Sequence, residues 1–233
     1  MSVTKYQAIV FDLWGTLVDE CIYPEANRLI YERKKAETAD VLGVDLGNFS
    51  RAWSAGKDQR NIDAFSSTED ALSHICRELG VEPGEDRIRA AAEMRYEYVR
   101  EALMPRPGAL ETISSLRESG YKVGLISNCT EEVARLWEST PFAPLMDATL
   151  LSFEVGLAKP DVGIYELAAT QLGVAAGRCL FVGDGSGGEL TGATKAGMAA
   201  VLMRAPSDQA DGAREGWVGD RISALIDVLR LVD

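Results

Sequence analysis

Several apolar stretches of this chain lead into side chains that can do chemistry. Ala8–Phe11 runs into Asp12-Leu13-Trp14-Gly15-Thr16, and Val123–Ile126 ends in Ser127-Asn128. Lys159-Pro160-Asp161 follows shortly after Thr149–Leu151, and Cys179–Val182 runs into Gly183-Asp184-Gly185-Ser186-Gly187-Gly188-Glu189. Carboxylates are ionised near neutral pH and offer hard oxygens to a divalent cation or a nucleophile to an electrophile. A serine hydroxyl and an asparagine amide donate hydrogen bonds, and a lysine adds a positive point charge. Taken singly each feature is ordinary, since a strand-end Asp often caps a helix and Ser-Asn is a common turn. Their order and shared placement at the ends of apolar runs carry the signal.

The runs themselves, with Ala200–Met203 as a fifth, are continuous rather than alternating. That is the pattern of strands buried on both faces. Helical stretches at Glu131–Ser139, Val162–Leu172 and Leu190–Ala196 separate them, which predicts a parallel sheet with crossover helices. In such a sheet ligands bind beyond the carboxyl ends of the strands, where the polar residues above fall. One interval is too long for a single crossover: the first run ends near residue 12 and the next begins near residue 122. Helix signals fill it. Pro24 can open a helix through Ala26, Leu29, Ile30 and Leu42 with Gly43 as its stop; Thr68 can cap a second through Leu72, Ile75, Cys76 and Leu79, closed by Gly80; a third runs from about Asp86 to Leu103. Residues 19–104 therefore read as a helical insertion, and Pro105-Arg106-Pro107-Gly108 as the return. A last helix is expected over Ile222–Val232, capped by Asp220, with Ile222, Leu225, Ile226 and Leu229 turned to the core.

Composition narrows the partners. The 233 residues are 46% apolar and carry a net charge of −12, which disfavours nucleic acid; a small anion can still bind, but only in a local pocket that supplies its own positive charge. No apolar run approaches a membrane span, and the N-terminus lacks the features of a secretory signal. The four cysteines (Cys21, Cys76, Cys129, Cys179) are scattered, so a disulfide framework is not expected and a cytoplasmic setting is the simplest. A monomer or homodimer is expected.

The segments FDLWGTLV (11–18), LISN (125–128), SFEVGLAKPDVGIY (152–165) and FVGDGSGGELTGA (181–193) resemble the motifs of the haloacid dehalogenase superfamily of hydrolases. The resemblance implies an α/β fold: a Rossmann-like parallel sheet core from 1–18 and 105–233, with an α-helical cap inserted at 19–104. It implies Asp12 as a nucleophile that forms an ester later cleaved by water. It implies Mg2+ held by Asp12, Asp184 and the backbone carbonyl of Trp14, with Glu189 supporting the ion directly or through water. Ser127 and Asn128 are implied as donors to a phosphoryl oxygen, and Lys159 as a positive charge beside the nucleophile. The spacing Gly183-x-Gly185-x-x-Gly188 also matches a dinucleotide fingerprint. That reading fails, because Asp184 would oppose a pyrophosphate and the fingerprint normally follows the first strand.

Phosphatases of this family usually carry Asp two residues after the nucleophile, where this chain has Trp14. An indole N–H donates a hydrogen bond but does not exchange a proton near neutral pH. Three readings remain, in this order: a Mg2+-dependent phosphohydrolase with altered acid/base help, favoured by Asp184 and Glu189; a 2-haloacid dehalogenase-like enzyme, favoured by an aromatic residue at 14; and a catalytically silent binding protein. In the cap, Arg28, Arg33, Arg51 and Arg60 are candidate anion contacts, and Lys34, Lys35 and Lys57 candidate Schiff-base lysines for a phosphonate-cleaving variant. Trp53 and Phe65 could line a substrate pocket, His74 reads as a surface or partly packed residue, and Cys129 as a small packed residue.

Overall fold

The computed structural model describes residues 5–19, 25–62, 64–206, 208 and 216–232, without the side chains of 25–27. Cys21, the Pro24 helix start and most of the 205–219 loop lie outside the described residues. Six strands form one parallel sheet: β1 (Ala8–Phe11), β2 (Lys122–Ser127), β3 (Ala148–Leu151), β4 (Cys179–Gly183), β5 (Ala199–Met203) and β6 (Arg221–Ile222), in the order β3-β2-β1-β4-β5-β6. Strand order reverses at β1, which has β2 on one side and β4 on the other. A crevice opens at such a switch point, beyond the carboxyl ends of the strands.

Alternation along β1 shows why the strands read as unbroken apolar runs. Ile9 and Phe11 enter one core with Val123, Leu125, Leu180 and Val182. Ala8 and Val10 enter the opposite core with Ile126, Leu150 and Phe181. Helices α6 (Ala109–Glu118) and α7 (Glu131–Trp137) cover the first face, through Ile113, Leu116, Val133 and Trp137. Helices α9 (Val162–Leu172) and α10 (Glu189–Lys195) cover the second, through Ile164, Tyr165, Leu190 and Ala193. Between β3 and α9 lies the single turn α8 (Ser152–Val155).

Between β1 and α6 the chain forms α1 (Glu25–Leu42), α2 (Leu46–Ala55), α3 (Lys57–Arg60), α4 (Thr68–Glu78) and α5 (Glu85–Ala102). These helices share a cluster of their own, built from Leu42, Phe49, Trp53, Leu72, Ile75, Ala92 and Tyr96. They also lean on the sheet domain: Tyr98, Val99 and Leu103 pack into the first core. The chain leaves and returns at one place, where Val18 bridges Pro105 and Arg106 N–H donates to Leu17 O at 2.8 Å. The buried Arg106 guanidinium binds Asp19 at 2.7 Å and Asp208 at 2.6 Å across that junction.

Three element expectations need correction. The second helix is capped by Ser67, whose hydroxyl accepts from Asp70 N; Thr68 is its first residue and donates instead to Glu131 at 2.7 Å. The helices α2 and α3 were not expected. The terminal segment is not one helix: Arg221–Ile222 pairs with β5 as an edge strand, Leu225–Asp227 makes a 3-10 turn, and α11 covers only Val228–Val232. Ile226, expected inside, is 45% exposed. No helix among the described residues is long and apolar enough to cross a membrane.

Candidate active site

Asp12 follows β1 directly, and its N–H donates to Val182 O of β4 at 2.9 Å. Asp184 follows β4. The two carboxylates, far apart in sequence, are thus delivered to either side of the switch point by neighbouring strands. After Asp12 the chain turns tightly, with the N–H groups of Thr16, Leu17 and Val18 all donating to Leu13 O. Gly15 takes φ +77° in this turn, and a Cβ there would lie 2.5 Å from Asp184 Oδ2. A side chain at position 15 is therefore excluded on two grounds, conformation and space, and its absence lets the loop lie against Asp184.

Asp12 is 5% exposed. Its Oδ2 accepts from Thr16 Oγ1 at 3.0 Å, and its Oδ1 accepts from Lys159 Nζ. The same ammonium donates to Glu189 Oε2 at 2.5 Å, while Glu189 Oε1 accepts from Gly185 N–H at 3.0 Å. Asp184 accepts from Ser186 N–H at 2.9 Å and from Ser186 Oγ at 2.8 Å. Asp12, Asp184 and Glu189, all buried, each offer an oxygen within 4.8 Å of the others. The Lys159 ammonium thus bridges Asp12 and Glu189, with Asp184 the third carboxylate of the cluster. Burial pushes the Asp12 carboxyl up, with Asp184 adding to the shift and Lys159 opposing it. Burial and the charge of Asp12 raise Glu189 strongly. Burial works against the charge on Lys159, but Asp12 and Glu189 outweigh it and hold its pKa above the usual lysine range.

The excess of negative charge tests whether a cation suits the site. Buried carboxylates need positive charge or protons close by, and Asp12 and Glu189 are both pushed up despite Lys159. Hard carboxylate oxygens close together are the donor set of Mg2+ or a similar divalent ion. The residues present fit such an ion.

Ser127 closes β2. Its Oγ is fully buried and has no hydrogen-bond partner among the described residues, a donor held ready for an acceptor. Asn128 is partly committed to the neighbouring loop. Its Nδ2 donates to Lys159 O and its Oδ1 accepts from Lys159 N–H, both at 2.8 Å. One amide N–H remains for another acceptor, and the pair fixes the loop that aims Lys159. Cys129 N–H is held by Ser152 Oγ at 2.9 Å, and burial pushes the Cys129 thiol up to about 12, as expected of a packed residue rather than a reactive one. Trp14 is half-buried against the first core. Thr16, Gly15, Ser186 and Tyr165, which donates to Glu189 O at 2.8 Å, complete the surroundings. All four lie within or beside the quoted motifs, and a hydroxyl four residues after Asp12 was the available signal for Thr16.

The helical-segment candidates separate. Lys34 pairs with Glu97 at 2.7 Å, Lys35 with Glu32 at 2.7 Å, and Lys57 is exposed. Arg33 and Arg51 are surface groups, whereas Arg60 is buried. Trp53 packs inside the helical segment; His74 is partly exposed and its ring lies tilted against Phe65, with centroids 5.2 Å apart.

A family model described as haloacid dehalogenase-like hydrolase matches residues 6–197, which includes every residue of this site. The chain is a haloacid dehalogenase-like hydrolase. It is 31% identical over 229 residues to a phosphatase of Mycobacterium tuberculosis, covering 94% of this chain and 96% of that protein. It is 27% identical over 203 residues to glyceraldehyde 3-phosphate phosphatase of Methanopyrus kandleri, covering 85% and 84%. It is 26% identical over 205 residues to (S)-2-haloacid dehalogenase 4A of Burkholderia cepacia, covering 86% and 84%. A solved 2-haloacid dehalogenase of Pseudomonas syringae pv. Tomato shares the fold, with a TM-score of 0.71, 22% identity and 97% of each chain covered.

Proposed function

We propose that this hydrolase is a Mg2+-dependent phosphohydrolase acting on a small phosphate ester. The carrying observation is the cluster of three buried carboxylates, Asp12, Asp184 and Glu189, whose oxygens lie within 4.8 Å of one another. Asp184 adds to the upward shift of the Asp12 carboxyl, and a metal-free reaction gives that mutual repulsion no divalent cation to offset it. The Mycobacterium and Methanopyrus relatives, named as phosphatases, support the same choice.

Asp12 attacks phosphorus through a carboxylate oxygen, the bond to the ester oxygen breaks, and the phosphoryl group is left on Asp12. Water then attacks phosphorus, releasing inorganic phosphate and restoring the carboxylate. Thr16 and Lys159 hold the Asp12 carboxylate in one orientation. Ser127 Oγ and the remaining Asn128 N–H donate to the non-bridging phosphoryl oxygens, and Lys159 offsets charge as it builds on them. Asp12, Asp184 and the Trp14 carbonyl would hold the ion, and Glu189, which clamps Lys159, would support it directly or through water. When bound, Mg2+ supplies Lewis-acid neutralisation of the phosphoryl group. Trp14 cannot protonate the departing oxygen, so esters with good leaving groups are the expected substrates. The segment 19–104 acts as the cap, with 1–18 and 105–233 as the catalytic core, and the substrate is a small anion.

The second reading is favoured by the aromatic side chain at 14 and by the Burkholderia relative, named as a 2-haloacid dehalogenase. One experiment separates the two. With p-nitrophenyl phosphate, turnover is expected with Mg2+, none in excess chelator, and none for Asp12→Asn. Chloride release from 2-chloropropionate in chelator, without phosphatase activity, would make the dehalogenase reading the right one.

A further inference from the structure

Two arginines meet inside the helical segment with one carboxylate between them. Arg60 of α3 and Arg95 of α5 are each 6% exposed. Both guanidinium groups lie over the Trp53 ring, at 3.8 Å and 4.6 Å from its centroid, and Arg95 also lies 5.1 Å from the Tyr98 centroid. Arg95 Nε donates to Glu132 Oε1 at 3.3 Å. Glu132 is the carboxylate whose charge acts on Arg60, and it is already bonded to Arg95. Arg60 Nε and Nη1 have no hydrogen-bond partner among the described residues. Burial lowers the Arg60 pKa to about 10, which still leaves it charged near neutral pH. A buried cation with unmade hydrogen bonds is costly, and stacking on Trp53 satisfies none of its donors.

Arg60 also lines a cavity of about 180 Å³ between α2, α3 and α4, together with Gly56, Gln59, Phe65, His74 and Glu78. Its Nη1 packs against Gly56, where a Cβ would lie 3.0 Å away. The acidic residue of the wall, Glu78, pairs with His74 at 3.3 Å. None of the catalytic residues lines this cavity.

We propose that this cavity is a binding site for a carboxylate or phosphate group, held by the Arg60 guanidinium. The planar fork suits either oxyanion. The group can come from the far end of a bound substrate or from a free small anion. The binding test stands apart from the phosphohydrolase reading; the kinetic test rests on it.

The binding test follows the Trp53 indole N–H in a 15N-tryptophan-labelled protein, assigned with Trp53→Phe, during titration with inorganic phosphate. A saturable shift is expected in the wild type, weakened at least 10-fold in Arg60→Gln and less in Arg60→Lys, which keeps the charge but loses the fork. Absence of a saturable shift, or equal shifts in the wild type and both variants, overturns the proposal. Circular dichroism establishes that each variant is folded; should Arg60→Gln not fold, Arg60→Lys carries the test alone. The kinetic test compares kcat/KM for 3-phosphoglycerate with that for p-nitrophenyl phosphate. A ratio at least 10-fold lower in Arg60→Gln assigns the site to the carboxylate end of a substrate. An unchanged ratio with Arg60-dependent phosphate binding assigns it to a free anion. If p-nitrophenyl phosphate is not hydrolysed at all, the phosphohydrolase reading fails while the Trp53 result still decides the site.

Discussion

The site turns on which oxygen and nitrogen atoms are already committed. Lys159 Nζ serves Asp12 and Glu189 at once, Asp184 is held by Ser186, and Asn128 is half spent on Lys159. Ser127 Oγ is the buried donor left over. Ser127→Ala is accordingly expected to lower kcat by roughly 10²–10³, the usual effect of removing one preorganised donor to developing charge. Steady-state kinetics with p-nitrophenyl phosphate measure it; a fall in affinity alone, with kcat intact, would place Ser127 outside the transition state. Trp14 allows the opposite kind of test. Trp14→Asp supplies the missing proton donor and is expected to raise turnover of an alkyl phosphate by on the order of 10². An unchanged rate in a folded, Mg2+-binding variant would remove Trp14 as the cause of weak acid/base help. Asp12, Ser127 and Asp184 stood out in sequence because their residue types fall at strand ends, and Lys159 because it follows shortly after the third apolar run. Their division of labour was not, since bonds such as Lys159 to Glu189 exist only once separate loops meet.

Among elements, legibility followed burial. The five expected strands read clearly because each is covered on both faces, as the split of β1 between two cores shows. Strand β6, two residues at an edge, leaves no periodic trace, and Ile222 and Leu225 looked helical because their spacing fits both structures. Helix α2 did carry a signal: Asp45 accepts from Asn48 N–H as its cap, and Phe49 and Trp53 stand one turn apart. It was hidden by its polar neighbours. At the other end of the sheet, Asp147 ties β2, β3 and α6 together, accepting from Val123 N–H at 2.9 Å, Arg117 at 3.1 Å and Lys122 at 3.2 Å. Burial alone would raise its pKa; the three donors outweigh it and hold it below the usual value. A carboxyl depressed in the folded state stabilises fully above its unfolded pKa, and that contribution is lost as pH falls through the folded one. Asp147→Ala is therefore expected to cost about 1–3 kcal/mol in urea unfolding at pH 7. The gap to wild type should shrink below the ordinary carboxylate range. A gap independent of pH would mean that packing, not charge, explains the loss.

For the whole molecule, the sheet assembles a charge problem that no single segment contains. Asp12 comes from the first strand, Lys159 from the loop before α9, and Asp184 and Glu189 from the fourth strand and its helix. Folding without a cation forces these carboxylates together. Mg2+ is therefore expected to raise Tm, since an ion binding only the folded state stabilises by about 2.7 kcal/mol at 100 times its Kd. Asp184→Asn is expected to melt higher than wild type in chelator and to lose the Mg2+ response. Differential scanning calorimetry decides it; an Mg2+-induced rise surviving in Asp184→Asn would locate the ion elsewhere.

The Val18–Pro105 bridge carries a consequence for how such a chain could have been assembled. Because departure and return points are neighbours, the excursion from 19 to 104 is, to the sheet, no more than one long hairpin loop. Strand order and register are indifferent to its length or content. Different helical inserts could be exchanged at this port while Asp12 and Asp184 stay where the strands put them, provided each newcomer re-covers the apolar patch now shielded by Tyr98, Val99 and Leu103.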